Sequence, residues 1–142
     1  MIREMNIDDH SLIIELFKLT PGVTIRDSDS IENTKNYLKR NPHLNFVKII
    51  DNKIVGCVMC GHDGRRGYLQ YLLILPKFRK HGIGESLFKS CIDSLQKIGI
   101  LKTHIFVFKQ NSLANTFWKN KGWILRDDLN MYSLNQSVND NA

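Results

Sequence analysis

Nowhere does the 142-residue sequence run apolar for the roughly 18–20 residues that span a bilayer, which argues against a membrane partner. The opening Met1-Ile2-Arg3-Glu4-Met5-Asn6 lacks the basic-then-apolar layout of a secretory signal, so a cytoplasmic protein is expected. Internal repeats, low-complexity stretches and interior linkers are absent. There is a surplus of 20 Lys+Arg over 14 Asp+Glu, but it is scattered, and no basic block is long. Clustered base-stacking aromatics and a basic-faced recognition helix are also missing, so nucleic acid is not an expected partner. Cysteine is scarce. Cys57-Val58-Met59-Cys60 has the spacing of a redox or zinc half-site. It lies in an extended, β-branched run, where alternation sends Cys57 and Cys60 to opposite faces. No second pair and no His-x-x-x-His follows, and Cys91 falls in an apolar helical stripe. Three buried thiols and no metal are the expectation.

What is present suits one soluble core: 42% hydrophobic and 24% charged residues. Residues 1–134 read as a single domain and the polar stretch 135–142 as a disordered tail. Residues 2–5 form a first strand. Asp8 reads as the N-cap of a helix carrying Leu12, Ile13, Leu16 and Phe17 inward, with Ile7 and Leu12 as a hydrophobic staple, and Thr20-Pro21-Gly22 ends it. Asp29 and Glu32 read as a capping box for a second helix to about Arg40, broken by Asn41-Pro42. Strands follow at 44–50, 54–60 and 68–75, the last apolar on both faces except at Gln70 and therefore central in a covered sheet. A helix from Gly82 to about Ile98 shows a 3.6-residue stripe of Ile83, Leu87, Phe88, Cys91, Ile92, Leu95 and Ile98, with Gly99 as its cap. A strand at 103–108, a helix at 113–121 and two short strands at 123–125 and 131–134 complete the order. Antiparallel runs joined to a strand–helix–strand crossover predict an α+β, three-layer α/β/α fold: a mixed, mostly antiparallel sheet flanked by about four helices.

The chemistry concentrates in Leu72-Leu73-Ile74-Leu75-Pro76-Lys77-Phe78-Arg79-Lys80-His81-Gly82-Ile83-Gly84. A buried strand ends, a basic loop turns, and glycines lead straight into a long helix. The first N–H groups of that helix have no internal partner and sit at the positive end of its dipole. Gly82 and Gly84 let a bulky ligand approach the backbone, and Lys77, Arg79, Lys80 and His81 add positive charge. In physical terms this is a pyrophosphate cradle. Glu85 after Gly84 sets it apart from the longer phosphate loop ending in Gly-Lys-Ser/Thr, and the dinucleotide fingerprint needs a third spaced glycine.

Arg79-Lys80-His81-Gly82-Ile83-Gly84 resembles the R-x-x-G-x-G signature of the GNAT N-acetyltransferase superfamily, and the apolar strand with Pro76 before it matches as well. Asn111 to Trp123 resembles the family's N-x-x-A-x-x-F-Y-x-x-x-G-F segment. The stretch His62 to Tyr68 further resembles small bacterial GNAT proteins of undefined substrate. The resemblance covers residues 1–134. It implies the GNAT acyl-CoA N-acyltransferase fold and transfer of an acetyl group from the cosubstrate acetyl-CoA to a primary amine of a small molecule or protein.

Carried over by position, the resemblance implies that the backbone of Leu73, Ile74 and Leu75 bonds the pantetheine arm. Arg79, Lys80, His81, Gly82, Ile83 and Gly84 hold the pyrophosphate. The Asn111 amide contacts the pantetheine or caps its helix, and Phe117 lines the cofactor's path or packs the core. A backbone N–H of the central strand stabilises the tetrahedral oxyanion. The chain departs from the pattern at the tyrosine that protonates the leaving thiolate, where it has Trp118, whose indole N–H is no acid near neutral pH. Tyr68 and Phe106 stand where relatives carry a glutamate base. The remaining candidates for proton transfer are His62, Asp63, Tyr71 and Tyr132. Asp27, Asp127 and Asp128 lie in the loops that meet substrate in the family; they attract a cationic amine or are ordinary solvated turns. The second reading is an acyl-CoA-binding module without catalysis, acting as a sensor or interaction partner. Monomer and homodimer both stay open.

Overall fold

A computed structural model describes residues 1–142. The chain divides into two compact units, residues 1–105 and 106–142. The first holds β1 (Ile2–Glu4), α1 (His10–Leu19), α2 (Ile31–Arg40), β2 (Phe46–Ile50), β3 (Lys53–His62), β4 (Gly67–Ile74), α3 (Ile83–Lys97) and β5 (Thr103–Ile105). The second holds α4 (Ser112–Asn120). The five strands lie in sequence order; β1 to β4 are antiparallel and β5 runs parallel to β4. This is the mixed, mostly antiparallel sheet with four helices that the pattern predicts.

Alternation along β3 builds two cores. Cys57 and Met59 join Ile13, Leu16 and Phe17 of α1 and Tyr37 and Leu38 of α2 on one face. On the other, a Cβ at Gly56 would meet Leu87 of α3, and one at Gly67 would meet Leu95 at 2.6 Å. α3 therefore lies close on the sheet because the strands beneath it present glycine. Phe17, Leu44, Leu69, Leu87 and Leu95 are fully buried. Each such side chain contributes roughly 1.5–3 kcal/mol. Cys57 and Cys60 part to opposite faces as expected, and all three thiols are free and buried. Burial pushes the Cys57 thiol up to about 12. Cys60 instead meets Cys91 of α3, whose thiol hydrogen bond holds Cys60 below its ordinary value and Cys91 far above it.

Several local readings need correction. The first helix is capped through Asn6 and Asp9, not Asp8: Asn6 Oδ1 accepts the Asp8 N–H, and Asp9 Oδ2 accepts the Asn6 N–H, around a 3-10 turn at Ile7–Asp9. Asp9 is free to do this because Arg3 neutralises it from the neighbouring strand. Leu12 points outward, 53% exposed, so the apolar stripe of α1 is narrower than its composition suggests. Ile98 is likewise exposed, beyond the last turn of α3. Ser30, not Asp29, caps α2, accepting the Asn33 N–H.

β5 ends at Ile105, short of the expected residue 108. The strands expected at 123–125 and 131–134 do not form. The Trp123 N–H donates to the Trp118 carbonyl, which continues the turn that closes α4. Ile124 and Leu134 are exposed, so nothing buries the alternating pattern. Local Asn and Ser side-chain turns run through residues 135–141.

Candidate functional site

The site begins where β4 loses one neighbour. β5 pairs with β4 only from Gly67 to Leu69. Just beyond, the register to β3 steps from Cys60↔Leu69 to Met59↔Tyr71, so Gln70 is an extra residue on β4. Such a bulge bends the strand and reverses which of its residues face each edge. Leu75 N–H donates to Val55 C=O on the β3 side. By alternation Leu72 and Ile74 therefore turn their N–H and C=O groups to the opposite edge, where no strand pairs with them. That open edge is a backbone template for an extended ligand.

At its end the chain turns into the cradle. Pro76–Phe78 forms one 3-10 turn. Lys80 and Gly82 both take left-handed backbone, with φ 65° and 79°. Left-handed geometry strains a lysine by roughly 1–2 kcal/mol, and it draws neighbouring N–H groups toward one point, as in anion-binding nests. Ser86 N–H is the first to close onto the helix, bonding Gly82 C=O at 3.1 Å. The N–H groups of Ile83 and Gly84 thus project from the positive end of a 15-residue helix. The space in front of Gly82 is open, since a Cβ there would meet nothing within 4 Å.

The basic side chains divide their labour. Arg79 is turned inward: its Nε donates to the Ile74 carbonyl at 3.0 Å and ties the loop to the strand it leaves. Lys77 lies 5.2 Å over the Phe78 ring. Lys80 and His81 are exposed around the helix start, with His81 Nδ1 near the Phe78 carbonyl at 3.3 Å. Of Leu73, Ile74 and Leu75, only Ile74 turns its backbone to the open edge, since Leu73 and Leu75 face β3; residues 79–84 form the cradle that follows.

The remaining candidates lie elsewhere. His62 stands at the β3–β4 turn, paired with Gly67, seven residues along β4 from Ile74. Its Nδ1 accepts the Gly64 N–H, and Asp63 Oδ1 accepts the Arg65 and Arg66 N–H groups, which holds the Asp63 carboxyl below its usual range. Both side chains build the turn. Asn111, Phe117, Trp118 and Tyr132 belong to the second unit. Asn111 caps α4, its Oδ1 accepting the Ala114 N–H at 3.1 Å. Trp118 is buried, with Phe117 and Trp123 edge-on to it at 5.0 and 4.6 Å. Tyr132 is 89% exposed.

Tyr71 is the exception. It projects from β4 onto the α1 face, its ring 4.6 Å from that of Phe17. Its hydroxyl donates to Asp29, 3.0 and 3.2 Å from the two carboxylate oxygens. Burial, then the adjacent Asp29 charge, raises the phenol to about 12. Asp29 is only 7% exposed, and its other side-chain bond is from the Arg26 N–H at 2.8 Å. Sequence reading places Asp29 in a helix cap. Its partnership with a residue 42 positions away leaves no local signal.

The model of the acetyltransferase (GNAT) family matches residues 11–123. An acetyltransferase of Pectobacterium atrosepticum is 32% identical over 114 residues, covering 78% of this chain and 77% of the relative. N-alpha-acetyltransferase 30 of Saccharomyces cerevisiae is 27% identical over 118 residues, covering 75% and 66%. Among solved structures, the PaiA N-acetyltransferase of Thermoplasma acidophilum, in complex with coenzyme A, superposes with a TM-score of 0.81 at 22% identity, covering 89% of this chain and 91% of that one. No helix is long and apolar enough to cross a membrane.

Proposed function

Because the chain belongs to the acetyltransferase (GNAT) family, it transfers an acetyl group from acetyl-CoA to an amine, and we propose that the open edge of β4 and the cradle at residues 79–84 hold the coenzyme. One observation carries this reading: the Leu72 backbone and the Ile74 N–H, which no strand pairs, run directly into a nest and helix N-terminus, which matches an amide-bearing arm followed by a pyrophosphate. The pantetheine amides pair with the Leu72 backbone and the Ile74 N–H as an added strand would. The phosphates take the N–H groups of Ile83 and Gly84, with Lys80 and His81 as counter-charge.

In this reading the Leu72 N–H faces the thioester carbonyl and holds the oxyanion that forms as the amine attacks. The thiolate takes its proton from solvent, because the indole of Trp118 is a donor only. The Asn111 oxygen is committed to capping its own helix. The family match crosses both units, which supports reading residues 1–134 as one functional domain. Three free, buried thiols fit the reducing cytoplasm. The acceptor is a primary amine on a small molecule or a protein N-terminus; the yeast relative is named for the latter. The non-catalytic reading is not favoured, since the relative at 32% identity is itself an acetyltransferase.

Calorimetric titration with acetyl-CoA, followed by thiol release with a panel of polyamines, amino acids and peptides, tests this. Binding that Gly82→Trp abolishes in a folded protein is the expected result. Undiminished binding by that variant removes the cradle from the site.

A further inference from the structure

We propose that Tyr71 and Asp29 form the proton-accepting dyad for the acceptor amine. The inference rests on the coenzyme reading above and goes beyond it by supplying the base that the sequence lacks at Tyr68 and Phe106.

Three observations meet here. First, Asp29 is a buried carboxylate held only by neutral donors, the Arg26 N–H and the Tyr71 hydroxyl. Burying a carboxylate is costly unless it is compensated; here the two hydrogen bonds and the nearby Arg26 charge compensate it and keep a carboxylate acceptor against the phenol. Second, Tyr71 is the residue next to Leu72, about 3.8 Å away along the backbone. The dyad is thus carried by the same stretch of β4 whose open edge offers the Leu72 N–H. Third, the dyad joins β4 to the 3-10 turn at Asp27–Asp29 that leads into α2. The turn is thereby held to the strand that offers the Leu72 N–H.

The step balances as follows. The nitrogen of a neutral amine bonds to the acetyl carbonyl carbon, and the electron pair of the C=O moves to oxygen at the Leu72 N–H. The amine proton passes to Tyr71 Oη as Tyr71 passes its own to Asp29. The intermediate collapses, the C–S bond breaks, and coenzyme A leaves as the thiolate. Asp29 then returns its proton to solvent, and the thiolate takes one from it. A phenol raised to about 12 stays neutral through the working range and so serves as a relay; it is not itself the base. The other titratable groups around the dyad are His10 of α1, whose Nε2 lies 2.8 Å from the Asp29 carbonyl, Arg26 and Asp27 of the same turn, and Cys57 of β3.

The test compares wild type with Asp29→Asn, Tyr71→Phe and His10→Gln, using acetyl-CoA and the panel amine that gives the fastest thiol release. Melting curves check folding and calorimetry checks coenzyme affinity. Asp29→Asn should lower kcat/KM on the order of 100-fold or more. The loss should fall in kcat, with the acetyl-CoA Kd within about twofold of wild type. Tyr71→Phe, which keeps the Arg26 cap on Asp29, should lose on the order of 10–100-fold and carries the test if Asp29→Asn does not fold. His10→Gln should keep the wild-type kcat. A folded Tyr71→Phe or Asp29→Asn with wild-type kcat overturns the dyad, as does an equal loss of kcat in His10→Gln. Acetyl-CoA binding without thiol release from any amine also counts against it. Absence of acetyl-CoA binding in wild type strikes instead at the coenzyme reading beneath.

Discussion

The guanidinium of Arg79 reaches back to the Ile74 carbonyl, Nε to O at 3.0 Å, so the first residue of the loop motif fastens the loop to the strand it has just left. The bond occupies an acceptor that would otherwise lie open at the unpaired edge, and it fixes the angle between strand and cradle. A charged residue at this position is thus a geometric device as much as a source of potential.

Arg79→Ala should therefore cost about 1.5–3 kcal/mol of stability, the range for a charge-assisted hydrogen bond. It should also raise the acetyl-CoA Kd about tenfold, equivalent to about 1.4 kcal/mol. Urea unfolding and calorimetry measure the two separately. An unchanged Kd in a destabilised variant would mean that the bond holds the fold and not the ligand.

Gly82 separates backbone strain from bulk. Its φ is 79° and the space around it is open. Asparagine adopts left-handed backbone far more readily than β-branched residues do. Gly82→Asn should keep the melting temperature within a few degrees, whereas Gly82→Val should lower stability by roughly 1–2 kcal/mol and weaken coenzyme binding as well. Equal behaviour of the two variants would contradict the strain account.

Tyr37 makes the opposite case. Its hydroxyl is buried without a hydrogen bond, close to Gly61 and the Asn41 amide. Tyr37→Phe removes an unsatisfied polar group, so stability should hold or rise by about 1 kcal/mol in urea unfolding. A loss of similar size would show that the hydroxyl is satisfied in solution.

The Arg3–Asp9 pair predicts acid sensitivity. Both guanidinium nitrogens bond the two Asp9 oxygens at 2.8 Å, and Arg3 foremost, with the Asn6 N–H, holds the Asp9 carboxyl below its ordinary value. A depressed folded-state value contributes stability that is fully present above the unfolded value near about 3.9. That contribution fades as pH falls through the lower folded value. Asp9→Asn should melt several degrees below wild type at pH 7, and the gap should close below about pH 4. A constant gap down to pH 2 would exclude linkage through this pair.

Legibility followed sequence distance. Residues 72–84 are contiguous, so strand, turn, charge and helix start could be read together, and the structure arranges them as one edge and one cradle. The chemistry beyond the cofactor could not be read this way. His62 and Asp63 have suitable side chains for acid–base work, yet both are committed to the turn they occupy. Asp29 looks like a helix cap until Tyr71 is brought to it. The final strands show how alternation misleads, because apolar periodicity forms a strand only where a neighbour supplies the ladder.

By itself the sequence determined the features set by local chain physics: the helix stripes, the glycines that permit left-handed backbone, and the motif that marks the family. Tertiary structure alone decided where the sheet opens and which side chains meet beside that opening. An extra residue at Gln70 and a short β5 free the edge of β4, and packing of α1 and the Asp27–Asp29 turn over that strand places a buried carboxylate against Tyr71. Both depend on contacts between residues far apart in the chain, whose free energies no local pattern encodes.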